Sequence, residues 1–149
     1  MKDVNIYIYT EYTGSLKSGT GKYHVILETM VMAKGQEELY TSKDKGIIEE
    51  VTRNRLELVA LDKALSRMTK PSHITVYTSS DFITSAFVQN WPDKWRKSNF
   101  EKKGKPIKHA DLWKRILEQI EKHDVVFVHS THTEYTKAQE SELKNYRKR

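Results

Sequence analysis

The chain has 149 residues, no cysteine and a net charge of +6 with a pI near 9.4. That length suits one domain able to bury roughly 68–70% of its unfolded surface without staples; lacking cysteine, it has no disulfide or thiolate metal site, which fits a reducing cytoplasm. No run of 18 apolar residues occurs and Met1-Lys2-Asp3-Val4 opens no signal-peptide pattern, so neither membrane insertion nor export is expected.

Val4, Ile6 and Ile8 alternate with Asn5, Tyr7 and Tyr9, which predicts a first strand ending in Thr10-Glu11-Tyr12. After a Gly- and Ser-containing turn, Tyr23 to Met32 reads as a second strand. Leu39, Tyr40, Ile47 and Ile48 supply a third, broken at the polar Ser42 to Lys45 and at Gly46. Short connections make these an antiparallel meander.

A helix is expected from Thr52 to Met68, ended by Pro71. Its apolar residues cover more than one stripe, as in a helix buried between other elements, so Glu57 near its start needs a partner or a cation. Ile74 to Tyr77 then reads as a buried strand parallel to its predecessor. Ser79 or Ser80 caps a helix over Phe82 to Val88, which Pro92 stops. Another helix starts at His109 to Trp113, Val125 to Val128 forms a last buried strand, and a short helix follows from Thr136 or Lys137 to Tyr146, with Arg147-Lys148-Arg149 fraying.

Between Trp91 and His109 stand seven bases and two acids, a local +5 interleaved with Trp91, Trp95 and Phe100. Bases alternating with aromatics suit nucleic acid; a solvated loop whose tryptophans pack on the core is the plainer alternative. His129, His132 and Glu134 have spacings a metal could use, but read better as strand-end and loop residues.

Thr52-x-Asn54-Arg55-Leu56-Glu57-Leu58 resembles the helix motif of bacterial type I ribonuclease H, the enzyme that cuts RNA paired to DNA. Trp91-Pro92-Asp93-Lys94-Trp95-Arg96-Lys97 and Lys105-Pro106-Ile107-Lys108-His109-Ala110-Asp111-Leu112-Trp113 resemble that family's basic protrusion, the handle, at about 91–109. The resemblance covers nearly the full chain and favours the nucleic-acid reading. It implies an α/β ribonuclease H-like fold in a single domain, 1–149, in the order β-β-β-α-β-α-α-β-α. The five-stranded mixed sheet would have strands one to three antiparallel, strands four and five parallel to strand one, and helices on both faces. It further implies substrate contacts at Tyr12, Thr52, Asn54, Trp91, Trp95, Lys97, Lys102, Lys103 and Lys105.

Catalysis in that family resembles two-metal hydrolysis, in which about four carboxylates clamp two Mg²⁺ or Mn²⁺ ions. The first acid normally lies in Thr-Asp-Gly, where this chain has Thr10-Glu11-Tyr12; the second is Glu57. The third lies in Thr-Asp-Ser, where this chain has Thr78-Ser79-Ser80. His132 matches a loop histidine, and the fourth acid falls at Ser141 or Glu142 according to the anchor chosen. Glu11, Glu57 and Glu142 are thus the expected metal ligands, with Ser79 and His132 completing the catalytic set. Two or three acids make a poor octahedral cage, so weak metal binding is expected; Asp81 is better placed to favour its own helix's dipole.

Three readings follow: a binder of RNA/DNA hybrid or related duplex with impaired nuclease activity, an active ribonuclease H with a rewired cage, and a protein-interaction module that keeps only the fold.

Overall fold

The computed structural model describes residues 1–147; Lys148 and Arg149, part of the tail expected to fray, lie outside the described residues. One five-stranded sheet is built from β1 (Lys2–Gly14), β2 (Gly19–Ala33), β3 (Gln36–Val51), β4 (Ser72–Thr78) and a last strand, Asp124–His129, in the order β3-β2-β1-β4-last. The first three strands form the antiparallel meander, whereas β4 runs parallel to β1, and the last strand parallel to β4. The mixed sheet is therefore the one expected.

Alternation along the strands divides the core in two. Val4, Ile6 and Ile8 of β1 join Tyr23, Val25 and Leu27 of β2 and Ile74 and Val76 of β4 in the main core, under α1 (Arg53–Leu65) and the apolar face of a later helix, Ala110–Ile120. Tyr7 and Ile26, which the pleat turns the other way, meet Leu143 and Gln139 of the C-terminal helix (Thr136–Lys144) in a smaller layer. Gln139 is 1% exposed and donates to the backbone oxygens of Tyr7 at 3.1 Å and His24 at 3.2 Å, pinning that helix across β1 and β2.

Several sequence expectations are corrected. The third strand is unbroken, because β3 is an edge strand whose polar residues face water, and Gly46 sits where the Tyr23 ring crosses the backbone: a Cβ there would lie 2.6 Å from that ring. The first strand continues past Tyr12 to Gly14, so Glu11 and Tyr12 pair with Lys22 and Gly21 inside a hairpin instead of standing at a strand's end. Helix α1 stops at Leu65, with Thr52 as N-cap, and tighter turns carry the chain through Met68.

Pro92 does not merely stop α2 (Asp81–Val88). Lacking an amide that a helix start would leave unpaired anyway, it opens an extra helix, α3 (Trp91–Lys97). A two-stranded hairpin, β5 (Glu101–Lys102) and β6 (Lys105–Pro106), completes the handle before α4 (Ala110–Ile120). The last strand, β7 (Asp124–His129), is an open edge: Val125 and Phe127 are covered, whereas Val126 is 57% exposed. Helix α5 (Thr136–Lys144) ends two residues before Tyr146.

Gly21 tests this packing. A Cβ there would meet Leu56 methyls at 2.7 Å, and Leu56 is fully buried on α1. Gly21→Ala is expected to destabilise the fold by about 1–3 kcal/mol through overpacking, read as a lowered urea midpoint with the slope unchanged.

Candidate functional site

The N-terminal half of α1 begins the site. Thr52 holds an extended backbone and its hydroxyl accepts from the Arg55 amide at 3.2 Å, a capping bond that starts the helix. One turn on, Glu57 points inward and is only 5% exposed. Burial raises its carboxyl above the usual range, opposed by the Thr10 hydroxyl, which donates to it at 2.5 Å, and by the positive field of Arg53.

The pleat turns the next residue of β1 away. Glu11 lies on the α5 side of the strand, where it accepts from the Tyr9 hydroxyl at 2.9 Å. Burial, then the bond to Glu11, pushes the Tyr9 phenol up to about 12. Strand β4 is too short to reach the same level: the β1–β4 pairing ends at Tyr7 and Tyr77, which leaves Ser79 level with Tyr9. Glu11 stands two residues, about 6.6 Å of strand rise, beyond it.

Ser79 is followed by Ser80, which caps α2 by accepting from Ile83 N at 3.1 Å, so the cap is Ser80 and not Ser79. His129, at the end of β7 and paired with Thr78, brings its Nε2 to within 3.2 Å of the Ser79 carbonyl and 3.0 Å of an Asp81 carboxylate oxygen. Asp81 thus has a histidine partner as well as its place in the first turn of α2. His132, the histidine singled out from the sequence, accepts through its carbonyl from Ser130 at 2.9 Å; the histidine brought to the end of β4 is His129.

Helix α5 resolves where its acids go. With Gln139 and Leu143 facing the sheet, steps of 100° send Glu142 to one flank and Glu140 to the other. Glu142 is exposed and ion-pairs with Lys45 of β3 at 3.1 Å, which lowers its pKa. Ser141 lines a surface hollow together with Glu142 and Lys45. Glu140, overlooked in the sequence because neither histidine spacing nor a leucine anchor selects it, lies near enough to Tyr9 to raise that phenol further, on the Glu11 side.

Glu11, Glu57 and Glu142 therefore each have a separate protein partner: Tyr9, Thr10 and Lys45. Among the described residues, no three His, Asp or Glu side chains gather as a metal-holding group. A two-ion clamp needs carboxylates converging on one point and in their charged form. Glu11 and Glu57 are turned to different partners, Glu142 is engaged at the edge strand, and Ser79 brings no charge, so the residues as arranged do not fit that clamp.

The second half of the site is the handle. Its tryptophans form a chain of contacts into the body, with ring centroids 5.8 Å apart for Trp91 and Trp95, 4.8 Å for Trp95 and Trp113, and 5.8 Å for Trp113 and Phe82. They line a cavity of about 570 Å³ together with Asn54, Lys102, Lys103 and Lys105; Lys97 does not line it. A neighbouring hollow of about 540 Å³ is lined by Thr52, Arg53, Asn54, Lys108 and Tyr12. The Tyr12 hydroxyl donates to the Ser15 carbonyl at 2.5 Å, and the Arg53 guanidinium lies 5.2 Å from its ring, so this ring is tied into its own turn.

The handle is fastened to α1 by a pairing the sequence did not disclose. Arg55 grips Asp111 with both terminal nitrogens, at 2.7 and 3.2 Å, and reaches His109 Nδ1 at 3.3 Å. The Arg55 hydrogen bonds hold the Asp111 carboxyl down at about 2. Burial, with Arg55 beside it, pushes the His109 imidazole down.

The family model for RNase H matches residues 3–144. The ribonuclease H of Caldicellulosiruptor saccharolyticus is 38% identical over 138 residues, covering 89% of this chain and 88% of that protein. Among solved structures, LC9-RNase H1, described as a type 1 RNase H with the type 2 active-site motif, superposes with a TM-score of 0.70 at 18% identity, over 85% of this chain and 61% of that one. A foamy viral protease-reverse transcriptase in complex with RNA/DNA hybrid superposes with a TM-score of 0.64 at 19% identity, over 94% of this chain and 18% of that one.

The burial of Glu57 has a pH signature. A carboxyl whose folded pKa is raised binds its proton more tightly folded than unfolded, so stability falls as pH rises from the ordinary 4.5 through the folded value. Glu57→Gln removes the penalty while still accepting from Thr10. The variant is expected to melt above the native protein at pH 7, with the gap closing as pH falls and absent below about 4.5.

Proposed function

We propose a function from the premise that the chain belongs to the ribonuclease H family: it binds RNA/DNA hybrid or a related duplex through the handle, with impaired hydrolysis. The dispersal of the acids onto separate partners carries this reading. The relatives' name supports hydrolysis of RNA in a hybrid as the ancestral chemistry, and the foamy viral structure shows the fold in a protein bound to such a hybrid.

On this reading Lys102, Lys103 and Lys105 meet phosphates, while Thr52 and Asn54 at the start of α1 meet phosphate and sugar on the strand beside Tyr12. Phosphates fix the register but carry no sequence information, so the protein reads duplex shape. Arg55 and Asp111 act as positioning residues, holding the handle at a set distance from α1. At the hydrolytic end, Glu57 is oriented by Thr10 and Glu11 by Tyr9; Mg²⁺ or Mn²⁺ binds weakly because Ser79 adds no charge.

A second reading, an active ribonuclease H with a rewired cage, is favoured by one observation: Glu140 lies near enough to Tyr9, the partner of Glu11, to raise its phenol. In that case Glu140 takes the place of the missing acid of α5.

Both readings are tested with labelled hybrid in Mg²⁺ or Mn²⁺, scored for retardation and for cleavage. The native protein is expected to retard hybrid and cleave it slowly or not at all, and the combined Ser79→Asp, Tyr12→Gly and Glu11→Asp variant to gain cleavage. Vigorous native cleavage that disappears in Glu140→Gln would instead establish the rewired enzyme. Each alanine at Lys102, Lys103 or Lys105 is expected to reduce the magnitude of the log K against log salt slope by about 0.9.

A further inference from the structure

The handle carries a cavity beside its aromatic rings, open to the surface. Its outer walls are the rings of Trp91 and Trp95, with the buried Trp113 at its base, and its volume of about 570 Å³ falls within the roughly 300–1,000 Å³ typical of small-molecule sites. Trp91 and Trp95 meet at 74° and Trp95 and Trp113 at 50°, so these rings do not cover one another face to face, and Trp91 stays 42% exposed. None of Glu11, Glu57 and Ser79 lines the space.

The rim is electrostatically unfinished. Lys102 and Lys105 are directly opposite each other across β5 and β6, and like charges at that spacing repel. The turn between them is Lys103-Gly104, both at positive φ (53° and 77°), so a third lysine occupies a backbone conformation that asparagine or glycine would adopt with less strain. Lys102, Lys103 and Lys105 have no ion-pair partner among the described residues, whereas Arg96 elsewhere in the handle pairs with Asp93 and Glu121. An anion over the hairpin relieves a repulsion that the protein leaves uncompensated.

We propose that this cavity is a nucleotide site, taking one base against the Trp91 and Trp95 rings and its phosphate on the Lys102, Lys103 and Lys105 rim. The proposal rests on the nucleic-acid reading above and makes it specific: the handle holds an unstacked nucleotide, free or at a strand end, in addition to tracking a duplex. Stacking on aromatic side chains is tolerant of base identity because every base has a π-face, so the site selects for a nucleotide over a carboxylate peptide, which has charge without a flat ring.

All three tryptophans of the chain line the cavity, so intrinsic tryptophan fluorescence reports on it directly. The full chain is titrated with adenosine monophosphate, adenosine, inorganic phosphate and a polyglutamate peptide, and with hybrids that are blunt or carry one unpaired 3′ nucleotide. Adenosine monophosphate is expected to quench saturably, at least tenfold tighter than adenosine or phosphate alone, and to be displaced by hybrid. Trp91→Ala is expected to weaken it about tenfold, while Trp91→Phe, which keeps a ring, retains most of the affinity. A weak response to the free nucleotide with a clear preference for the overhang hybrid would support the site with a strand-borne nucleotide.

If neither the monophosphate nor the overhang is preferred while blunt hybrid still binds, the cavity proposal fails and the duplex reading survives. Loss of response to every nucleotide and hybrid would sink both. Polyglutamate binding as tightly as the monophosphate would make the rim an acidic-protein surface and overturn the proposal.

Discussion

The burial of helix α1 is the constraint on which the rest of this structure depends. Leu56, Leu58, Ala60, Leu61, Ala64 and Leu65 are all buried, with the sheet on one side and α4 on another. A helix so enclosed has little surface on which to place a charge, yet it carries two carboxylates, Glu57 and Asp62, exposed by only 5% and 2%. Asp62 is answered by Arg115 and Gln119 of α4, at 2.5 and 2.9 Å, and helps lock those helices together. Glu57 is answered by the Thr10 hydroxyl and the field of Arg53, against which burial still raises its carboxyl. A neutral residue would serve packing better at this position, and desolvated carboxyls of this kind cluster at functional sites.

The same helix fixes the handle. Its first turn presents Arg55 to Asp111, and this bidentate pair sets where α4 begins relative to the cap at Thr52. Trp113, 1% exposed and two residues further along α4, then supports Trp95 and through it Trp91. The basic segment is thus joined to the core by aromatic rings running from the interior to the surface. Its lysines stand on a hairpin held by only two cross-strand pairs, which places charge at a defined distance from the rings.

The carboxylate end is organised differently. Successive residues of β1 face opposite sides of the sheet, so Thr10 meets Glu57 on the α1 side while Glu11 meets Tyr9 on the other. A cage spanning both sides needs an acid where the sheet's layers open, at the end of β4, and Ser79 stands there. On the far side, Gln139 satisfies two backbone carbonyls, which sets the rotation of α5 and with it the opposite destinations of Glu140 and Glu142. One hydrogen-bonded glutamine therefore decides which acid of that helix neighbours β1.

Much of the fold was legible in the sequence because it is written in local periodicities. The alternation of Val4, Ile6 and Ile8, the apolar girth of α1 and the serine cap of α2 each follow from a few neighbouring residues, and the family motifs supplied the order of the sheet. The handle's tryptophans and lysines were legible as well, since their spacing survives whatever their neighbours do. Other features depended on contacts between residues far apart in the chain: the grip of Arg55 on Asp111 spans 56 positions, that of Gln139 on Tyr7 132, and that of His129 on the Ser79 carbonyl 50. Edge position also escaped the sequence, for a polar run in β3 and an apolar one in β7 look like a broken strand and a buried strand until the neighbours that would cover them are known to be missing. Residue types and spacing determined which elements form and what chemistry they carry; only the three-dimensional register decided which face each side chain occupies, and so which acids can meet.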